Sequence, residues 1–311
     1  MKILILGAGG VGGYFGARLV QAGADVTFLA REKRRAQLAA NGLVIESPRG
    51  NAAVPVKTVT QAAVKTGFDL IIFTCKSYDL EDAMVSIAPA VGPETHVLPL
   101  LNGLAHMQVL NDRFGTKRVW GGACKIMTTL TPDGVVKHLA DFAVITFGAQ
   151  DGIATEKLAG FKALLENSGL EAILAVNIAR EMWMKLTHLC TLAAMTSLLR
   201  ANVGEINRTA EGKALFREVF ATHCEVATRE GHAPDEAYKA FWIDTFTRAD
   251  MPTEASLLRD IEKGGAIEGD HILGFMLQRV RAHGLPDTLH RLVYTGAKSY
   301  EQRRAAGRLP G

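Results

Sequence analysis

The chain opens Met1-Lys2-Ile3-Leu4-Ile5-Leu6-Gly7-Ala8-Gly9-Gly10-Val11-Gly12, an apolar run that breaks into a G-x-G-x-x-G turn. Such an opening leaves few folds available. Gly7 suits a tight turn leaving a strand, Gly9 a close backbone approach to a pyrophosphate, and Gly12 close packing of the following helix on the strand. Gly10 and Val11 would begin that helix, whose free N–H groups favour an anion. Tyr14, Leu19 and Val20 continue with helical spacing, and Asp25-Val26-Thr27-Phe28-Leu29-Ala30 reads as a second strand. A glycine turn without a ligand would show the same three glycines, but not this flanking strand–helix–strand context.

The end of the second strand discriminates between nicotinamide cofactors. An acidic side chain at that tip holds the ribose hydroxyls of NAD, whereas a cation there suits the 2′-phosphate of NADP. Here Arg31 follows the apolar strand, with Glu32, Lys33, Arg34 and Arg35 behind it. The reading is NADPH. Arg34 and Arg35 read as the solvated basic face of the next helix.

Composition narrows the class further. The chain has 311 residues, 48% hydrophobic and 22% charged, which suits two globular domains. A net charge of +3, with basic residues scattered among few aromatics, gives no footprint for nucleic acid. Cys75, Cys124, Cys190 and Cys224 lie far apart without metal-ligand spacing, so reduced core thiols and no bound metal are expected. The richest apolar stretch, Leu186 to Leu199, is interrupted by Thr187, His188, Thr191, Thr196 and Ser197. It falls short of the roughly 18 apolar residues of a membrane helix, and a cytoplasmic protein is expected.

Strand and helix signals alternate through the first half. Helices are predicted at 33–41 and 78–90, and strands at 43–46, 53–56, 70–74, 96–101, 118–122, 134–138 and 143–147. This pattern predicts an α/β fold, a Rossmann-type doubly wound parallel sheet with an antiparallel edge. From Asn177 onward only helical patterns remain, at 178–200, 209–230, 234–246, 256–263, 268–283 and 286–305, with a frayed tail over 303–311. The expected domains are therefore residues 1–176, binding NADP, and 177–311, all-helical and carrying substrate and catalysis. A cleft between the halves is the expected substrate site.

Two strand tips carry polar residues where an open α/β sheet binds ligands. One is Cys75-Lys76-Ser77 and the other Asn102-Gly103. Lys76 suits a phosphate, a carboxylate or a nicotinamide ribose, and Asn102 a carboxamide or a hydroxyl. In the helical half, Lys185 stands in Arg180-Glu181-Met182-Trp183-Met184-Lys185-Leu186. Burial there would lower a lysine's pKa and suit it to proton transfer, although a lysine snorkelling from a buried helix face fits the same spacing.

The glycine turn, Arg31, Cys75-Lys76, Leu101-Asn102-Gly103, Trp183-x-Lys185, Ser256-Leu257-Leu258-x-Asp260 and Glu268-x-Asp270-x-x-x-Gly274 together resemble the ketopantoate reductase (2-dehydropantoate 2-reductase) family over nearly the whole chain. The resemblance implies an NADPH-binding Rossmann domain joined to a helical domain. It also implies reduction of a 2-oxo acid to a 2-hydroxy acid, which for the family is ketopantoate to pantoate in pantothenate biosynthesis. Position by position, it makes Lys185 the catalytic lysine and Lys76 a second site lysine on the substrate carboxylate or the cofactor. Asn102 and Ser256 would orient substrate, with Asn102 also on the cofactor side, and Glu268 would hold Lys185 or bind the cofactor ribose. From local sequence alone, Ser256 reads as a helix N-cap and Glu268 as a first-turn dipole partner. A small 2-oxo acid is the expected partner, and a homodimer the candidate assembly.

The chain departs from the family pattern at Leu189, Ala193 and Leu273, where asparagines are usual. These departures bear on the substrate. His188 and Thr196 share the Lys185 helix face and are expected to offer replacement contacts. Two further readings stand beside the family reaction: another carbonyl or imine substrate on the same fold, or a non-catalytic NADPH sensor.

Overall fold

Strand β1 (Lys2–Leu6) alternates strictly between two cores, in the computed structural model, which describes residues 1–309. Ile3 and Ile5 pack with Tyr14, Phe15, Leu19 and Phe28, while Leu4 and Leu6 pack with Ile71, Phe73, Met84 and Leu110. A strand apolar on both faces belongs at the centre of a covered parallel sheet. Here β1 is flanked by β2 (Asp25–Leu29) and β6 (Leu70–Phe73), both parallel to it. The sheet order is β5-β2-β1-β6-β7, with β5 (Lys57–Val59) and β7 (His96–Pro99) at its edges. The order reverses beside β1, which is the topological switch point at which such sheets bind ligands.

Register aligns the ligand edge. Leu6 pairs with Leu29 and Phe73, and Phe73 with Pro99, so four strands end level. The residues beyond them, Gly7, Ala30, Thr74 and Leu100, therefore share one rim. Helices α1 (Gly10–Gln21), α2 (Glu32–Asn41), α3 (Leu80–Ile87) and α4 (Ala105–Phe114) belong to the connections of this sheet.

A second sheet replaces the expected antiparallel edge. Strands β3 (Leu43–Glu46), β4 (Ala52–Val54), β8 (Trp120–Leu130), β9 (Val136–Ala149) and β10 (Glu171–Leu174) form it, with order β10-β9-β3-β4 and β8 paired to β9. The β8–β9 and β3–β4 pairs are antiparallel, but β9 runs parallel to β3 and β10. Two separate strands expected at 134–138 and 143–147 are one long strand, which continues through an irregularity where the pairing steps from Ile126 with Ala143 to Thr128 with His138. Helix α1 lies between the two sheets, sharing a core with Leu43, Ile45, Val136 and Ile145. Helix α5 (Glu156–Asn167), capped by Thr155, adds Leu158, Phe161 and Leu165 to that core.

The chain divides into two units, Met1–Leu101 with His106–Glu181, and Asn102–Ala105 with everything from Met182 onward. The second unit is helical. Its axis is α6 (Ile178–Leu199), followed by α7 (Val203–Asn207), α8 (Gly212–Arg229), α9 (Glu236–Thr247), α10 (Ser256–Glu262), α11 (Phe275–Ala282) and α12 (Thr288–Ala305). The break between α6 and α7 carries a capping box at Asn202 and Glu205, and the short α7 falls between the helices expected at 178–200 and 209–230. Arg303–Ala305 are helical rather than frayed, and the last two residues of the expected tail lie outside the described residues.

The hydroxyls that interrupt the apolar stretch of α6 are turned inward. Thr187, Thr191 and Ser197 donate to the carbonyls of Trp183, Thr187 and Ala193 four residues back, so a buried face accommodates them at little cost. No described helix is long and apolar enough to cross a membrane. Thr191 Oγ1 also meets His223 Nδ1 at 2.8 Å, and His223 Nε2 meets His290 Nε2 at 3.0 Å, in a chain closed off from water. Burial depresses the pKa of both rings below the ordinary 6.5; His290 further opposes protonation of His223, while Asp287 partly offsets the shift at His290.

Between the unfolded and the folded pKa the unfolded chain binds more protons, so the pair's contribution to stability is complete above about pH 6.5 and declines as the pH falls below it. The melting temperature of the intact protein should drop from pH 6.5 to 5, and more gently in His290→Leu. Parallel pH profiles for the two proteins would show that the histidine pair does not control acid stability.

Candidate active site

Leaving β1, the chain turns through Gly7 at φ +94°, a conformation that residues with side chains rarely adopt. The turn is wedged by a residue that the sequence alone did not single out. Thr74 Oγ1 donates to the Leu6 carbonyl at 2.7 Å and lies 3.1 Å from the Gly7 carbonyl. A methyl group on Gly12 would collide with both that hydroxyl and the Gly7 oxygen. Gly9 is different, because nothing in the protein would meet a side chain there. It caps α1 without any side-chain hydrogen bond, and the first turn of α1 holds no acidic residue. An uncapped helix start facing open space suits a phosphate-bearing ligand.

That space is a cavity of about 1030 Å³, lined in part by Gly7, Ala8, Gly9, Ala30, Arg31 and Cys75. Its dimensions and its mixture of apolar walls and cations fit a dinucleotide. Gly10, Val11 and Gly12 stand behind the lining, as the start of α1. Arg31 caps α2, with its largely exposed guanidinium 3.2 Å from Asp79, which also lines the cavity. An exposed pair of this kind holds Arg31 only weakly, leaving it able to exchange partners. Lys76 is half-buried and immediately precedes the short helical turn Ser77–Asp79; its neighbour Cys75, not Lys76 itself, lines the cavity.

Arg34 does not lie on a solvated face. Its Nε donates to the Ala8 carbonyl at 2.9 Å and one terminal nitrogen to the Gly134 carbonyl at 2.8 Å, tying the glycine turn to the β8–β9 hairpin. Gln37, one turn on, reaches the Pro132 carbonyl at 3.0 Å. Arg35 keeps the expected exposed position, paired with Glu32.

In the helical unit Lys185 is half-buried on α6, and its Nζ donates to Asn102 Oδ1 at 2.9 Å. Two residues that stand 83 positions apart in the chain are thus in direct contact. Glu268 is buried, and its carboxylate acts electrostatically on His271. The segment Asp270–Gly274 winds as a π-turn before α11, a distortion that recurs at functional sites. Ser256 is the first residue of α10 rather than its cap. Ala255 takes the cap position, and its N–H is accepted by Thr196 Oγ1 at 3.3 Å.

The comparisons with known proteins agree over both units. The family model described as ketopantoate reductase PanE/ApbA matches residues 3–152, and its C-terminal counterpart matches residues 177–301. The chain belongs to the ketopantoate reductase family. It is 33% identical to the uncharacterized oxidoreductase YkpB of Bacillus subtilis, over 98% of this chain and all of that protein. It is 28% identical to a 2-dehydropantoate 2-reductase of Pyrococcus horikoshii, over 97% and 98% of the two chains. Among solved structures, the PanE/ApbA family ketopantoate reductase of Ralstonia eutropha superposes with a TM-score of 0.87 at 26% identity, covering 98% of this chain and all of that one. D-mandelate dehydrogenase, in a ternary structure with NADH and anilino(oxo)acetate, gives a TM-score of 0.85 at 23% identity over 98% and 100%. Ketopantoate reductases are oxidoreductases, and family members bind a nicotinamide cofactor.

Against the family pattern, the replacement contacts expected from α6 are already engaged. Thr196 is fully buried, donating to the Leu192 carbonyl while accepting from Ala255. His188 stacks on Trp242 at 3.9 Å, with its Nδ1 3.2 Å from the Tyr238 hydroxyl. Ala193 and Leu273 are buried in the helical core, and Leu189 is half-buried against it.

Replacing Arg34 with methionine should loosen the glycine turn while leaving the helical unit intact. Hydrogen bonds from a charged donor are worth about 1.5–3 kcal/mol, so amide exchange at Ala8 to Gly10 should quicken by one to two orders of magnitude. Unchanged exchange there would show that the turn is held by Thr74 alone.

Proposed function

We propose that this ketopantoate reductase family member is an NADPH-dependent reductase that converts a small 2-oxo acid into the 2-hydroxy acid. The observation that carries the reading is the Lys185–Asn102 hydrogen bond, which holds the lysine amine about two turns into α6. Bound NADPH would supply the hydride. Gly7, Gly9 and the N-terminus of α1 would hold the pyrophosphate, with Gly10, Val11 and Gly12 presenting backbone N–H groups or making room for them. Arg31 would release Asp79 for the 2′-phosphate, whose charge and fork geometry suit a guanidinium better than an exposed carboxylate does.

Lys185 then polarises the 2-carbonyl oxygen and donates its proton as that oxygen becomes an alkoxide. Asn102 fixes the ammonium, since its carbonyl oxygen accepts from Nζ and leaves the remaining Nζ protons for substrate. Ser256 orients the substrate from the first turn of α10, and Lys76 binds the substrate carboxylate or the cofactor. Glu268 would hold Lys185 or bind the cofactor ribose.

Ketopantoate itself is the family substrate, but a less polar 2-oxo acid or a related carbonyl compound is the better candidate here. Leu189, Ala193 and Leu273 cannot hydrogen-bond a substrate hydroxyl, and His188 and Thr196 are committed elsewhere. A desolvated hydroxyl without partners costs about 1–3 kcal/mol per lost contact.

Two measurements test this reading. NADPH should bind more tightly than NADH by fluorescence titration, and Arg31→Ala should remove about 1–3 kcal/mol of that preference while leaving NADH affinity little changed. Equal affinities in the unmodified protein would exclude the NADP assignment. With a panel of 2-oxo acids, turnover should be found and Lys185→Ala should lower kcat by about 100-fold or more at unchanged NADPH affinity. NADPH binding without turnover of any panel member would favour a sensor, and ketopantoate outperforming analogues that lack its hydroxyl would restore the family substrate.

A further inference from the structure

A third residue, outside the resemblance, lies against the turn that carries Asn102. His271 sits in the π-turn Asp270–Gly274, half-buried, between Glu268 and the core residues Ile272 and Leu273. Its ring makes a hydrogen bond to the Asn102 backbone. The same ring presses on the next residue, since a Cβ on Gly103 would lie 2.7 Å from His271 Cδ2 and 3.1 Å from Nε2. Gly103 adopts φ +85°, so both backbone conformation and space demand glycine there. The turn that carries the Asn102 side chain is thus held from behind by an imidazole, while its front accepts from Lys185.

We propose that His271 is a positioning residue for the reaction, clamping the Asn102–Gly103 turn so that Asn102 Oδ1 holds the Lys185 ammonium in line with the substrate oxygen. The proposal rests on Lys185 being the proton donor. Burial lowers the His271 pKa and the Glu268 carboxylate partly offsets this, so the ring is neutral at neutral pH and adds no second cation to the Lys185 site. The neutral ring keeps one N–H for the Asn102 carbonyl. The π-turn contributes because it places His271 at the turn while its neighbours Ile272, Leu273 and Gly274 stay in the core. Displacement of a catalytic group by about 1 Å can cost 100-fold in rate, so a clamp that touches no substrate can still govern kcat.

The experiment compares the full-length protein with His271→Phe, which keeps a ring but no donor, and His271→Gln, which keeps a donor. With the best 2-oxo acid of the panel, His271→Phe should lower kcat about 10-fold or more, with NADPH affinity and melting temperature unchanged. His271→Gln should recover kcat to within about threefold of the unmodified protein. Amide exchange at Gly103 and Leu104, read without substrate, should quicken in His271→Phe and not in His271→Gln. A kcat within twofold of normal in His271→Phe, or equal losses in both variants, would overturn the proposal. Should the unmodified protein turn over nothing, the reading of Lys185 fails first, and the exchange measurement alone decides whether His271 clamps the turn.

Discussion

The Thr74 hydroxyl occupies the space that Gly7 and Gly12 leave by lacking side chains, and the ligand edge of the first unit depends on that fit. It ties the tip of β6 to the last carbonyls of β1 and sets how closely α1 approaches the strand. Because β1, β2, β6 and β7 end level, the residues beyond each strand form a single rim, and Thr74 ties two of these tips together. Arg34 completes the support from the opposite side, joining the same turn to the β8–β9 hairpin. Rigid support of this kind for a binding rim lowers the entropic cost of binding.

The helical unit solves a different problem, the placing of polar chemistry in an apolar bundle. The hydroxyl side chains along α6 donate to the helix's own carbonyls, and Thr191 also meets the His223–His290 pair. Lys185, like His188 with Tyr238, reaches a separate segment, in its case the Asn102–Gly103 turn, which groups with the helical unit although it follows β7 in the chain. The contact thus needs a conformation that glycine supplies at position 103, an asparagine at 102 and the lysine one turn into the second unit. Each would look ordinary without the others.

Much of this was legible in the sequence, for a reason common to the successes. The parallel sheet, the switch to helices and the long α6 are written in local patterns, with period two or none in buried strands and period 3.6 in helices. Helices α4 and α5 and strands β5 and β10 were not anticipated, because they are short or carry their apolar residues on one narrow face. The mixed second sheet escaped as well, since pairing of β9 with β3 links residues about ninety positions apart. The site divides in the same way. Gly7, Gly9 and Arg31 stand out by motif, whereas Thr74, Arg34 and His271 matter only through contacts to distant backbone. Arg34 is the instructive case: beside Arg35 in sequence it looks like one more surface cation, and only the position of the Ala8 and Gly134 carbonyls separates the two. No periodic pattern announces the π-turn either, because it breaks the repeat that sequence reading depends on.

The same distinction between local and distant contacts bears on the substrate. Where the family usually carries asparagines, Ala193 and Leu273 are not exposed apolar walls but members of the helical core, packed with Met276, Val293 and Ala297. An asparagine introduced at Ala193 alone would bury an amide among apolar neighbours, at a cost of about 1–3 kcal/mol unless a partner or a substrate group satisfied it. The substitutions at these positions are therefore coupled to the packing of α6 against the segment after Glu268, and a polar pocket could not be restored one residue at a time. On the proposed reading, the polar contacts to substrate would be concentrated in Lys185, Asn102, Ser256 and Lys76. Those groups would suffice for a carbonyl flanked by a carboxylate, the part common to all 2-oxo acids. Any discrimination beyond that part must come from shape and from the cost of leaving a substrate hydroxyl unpaired, which disfavours polar side chains more strongly than it selects among apolar ones.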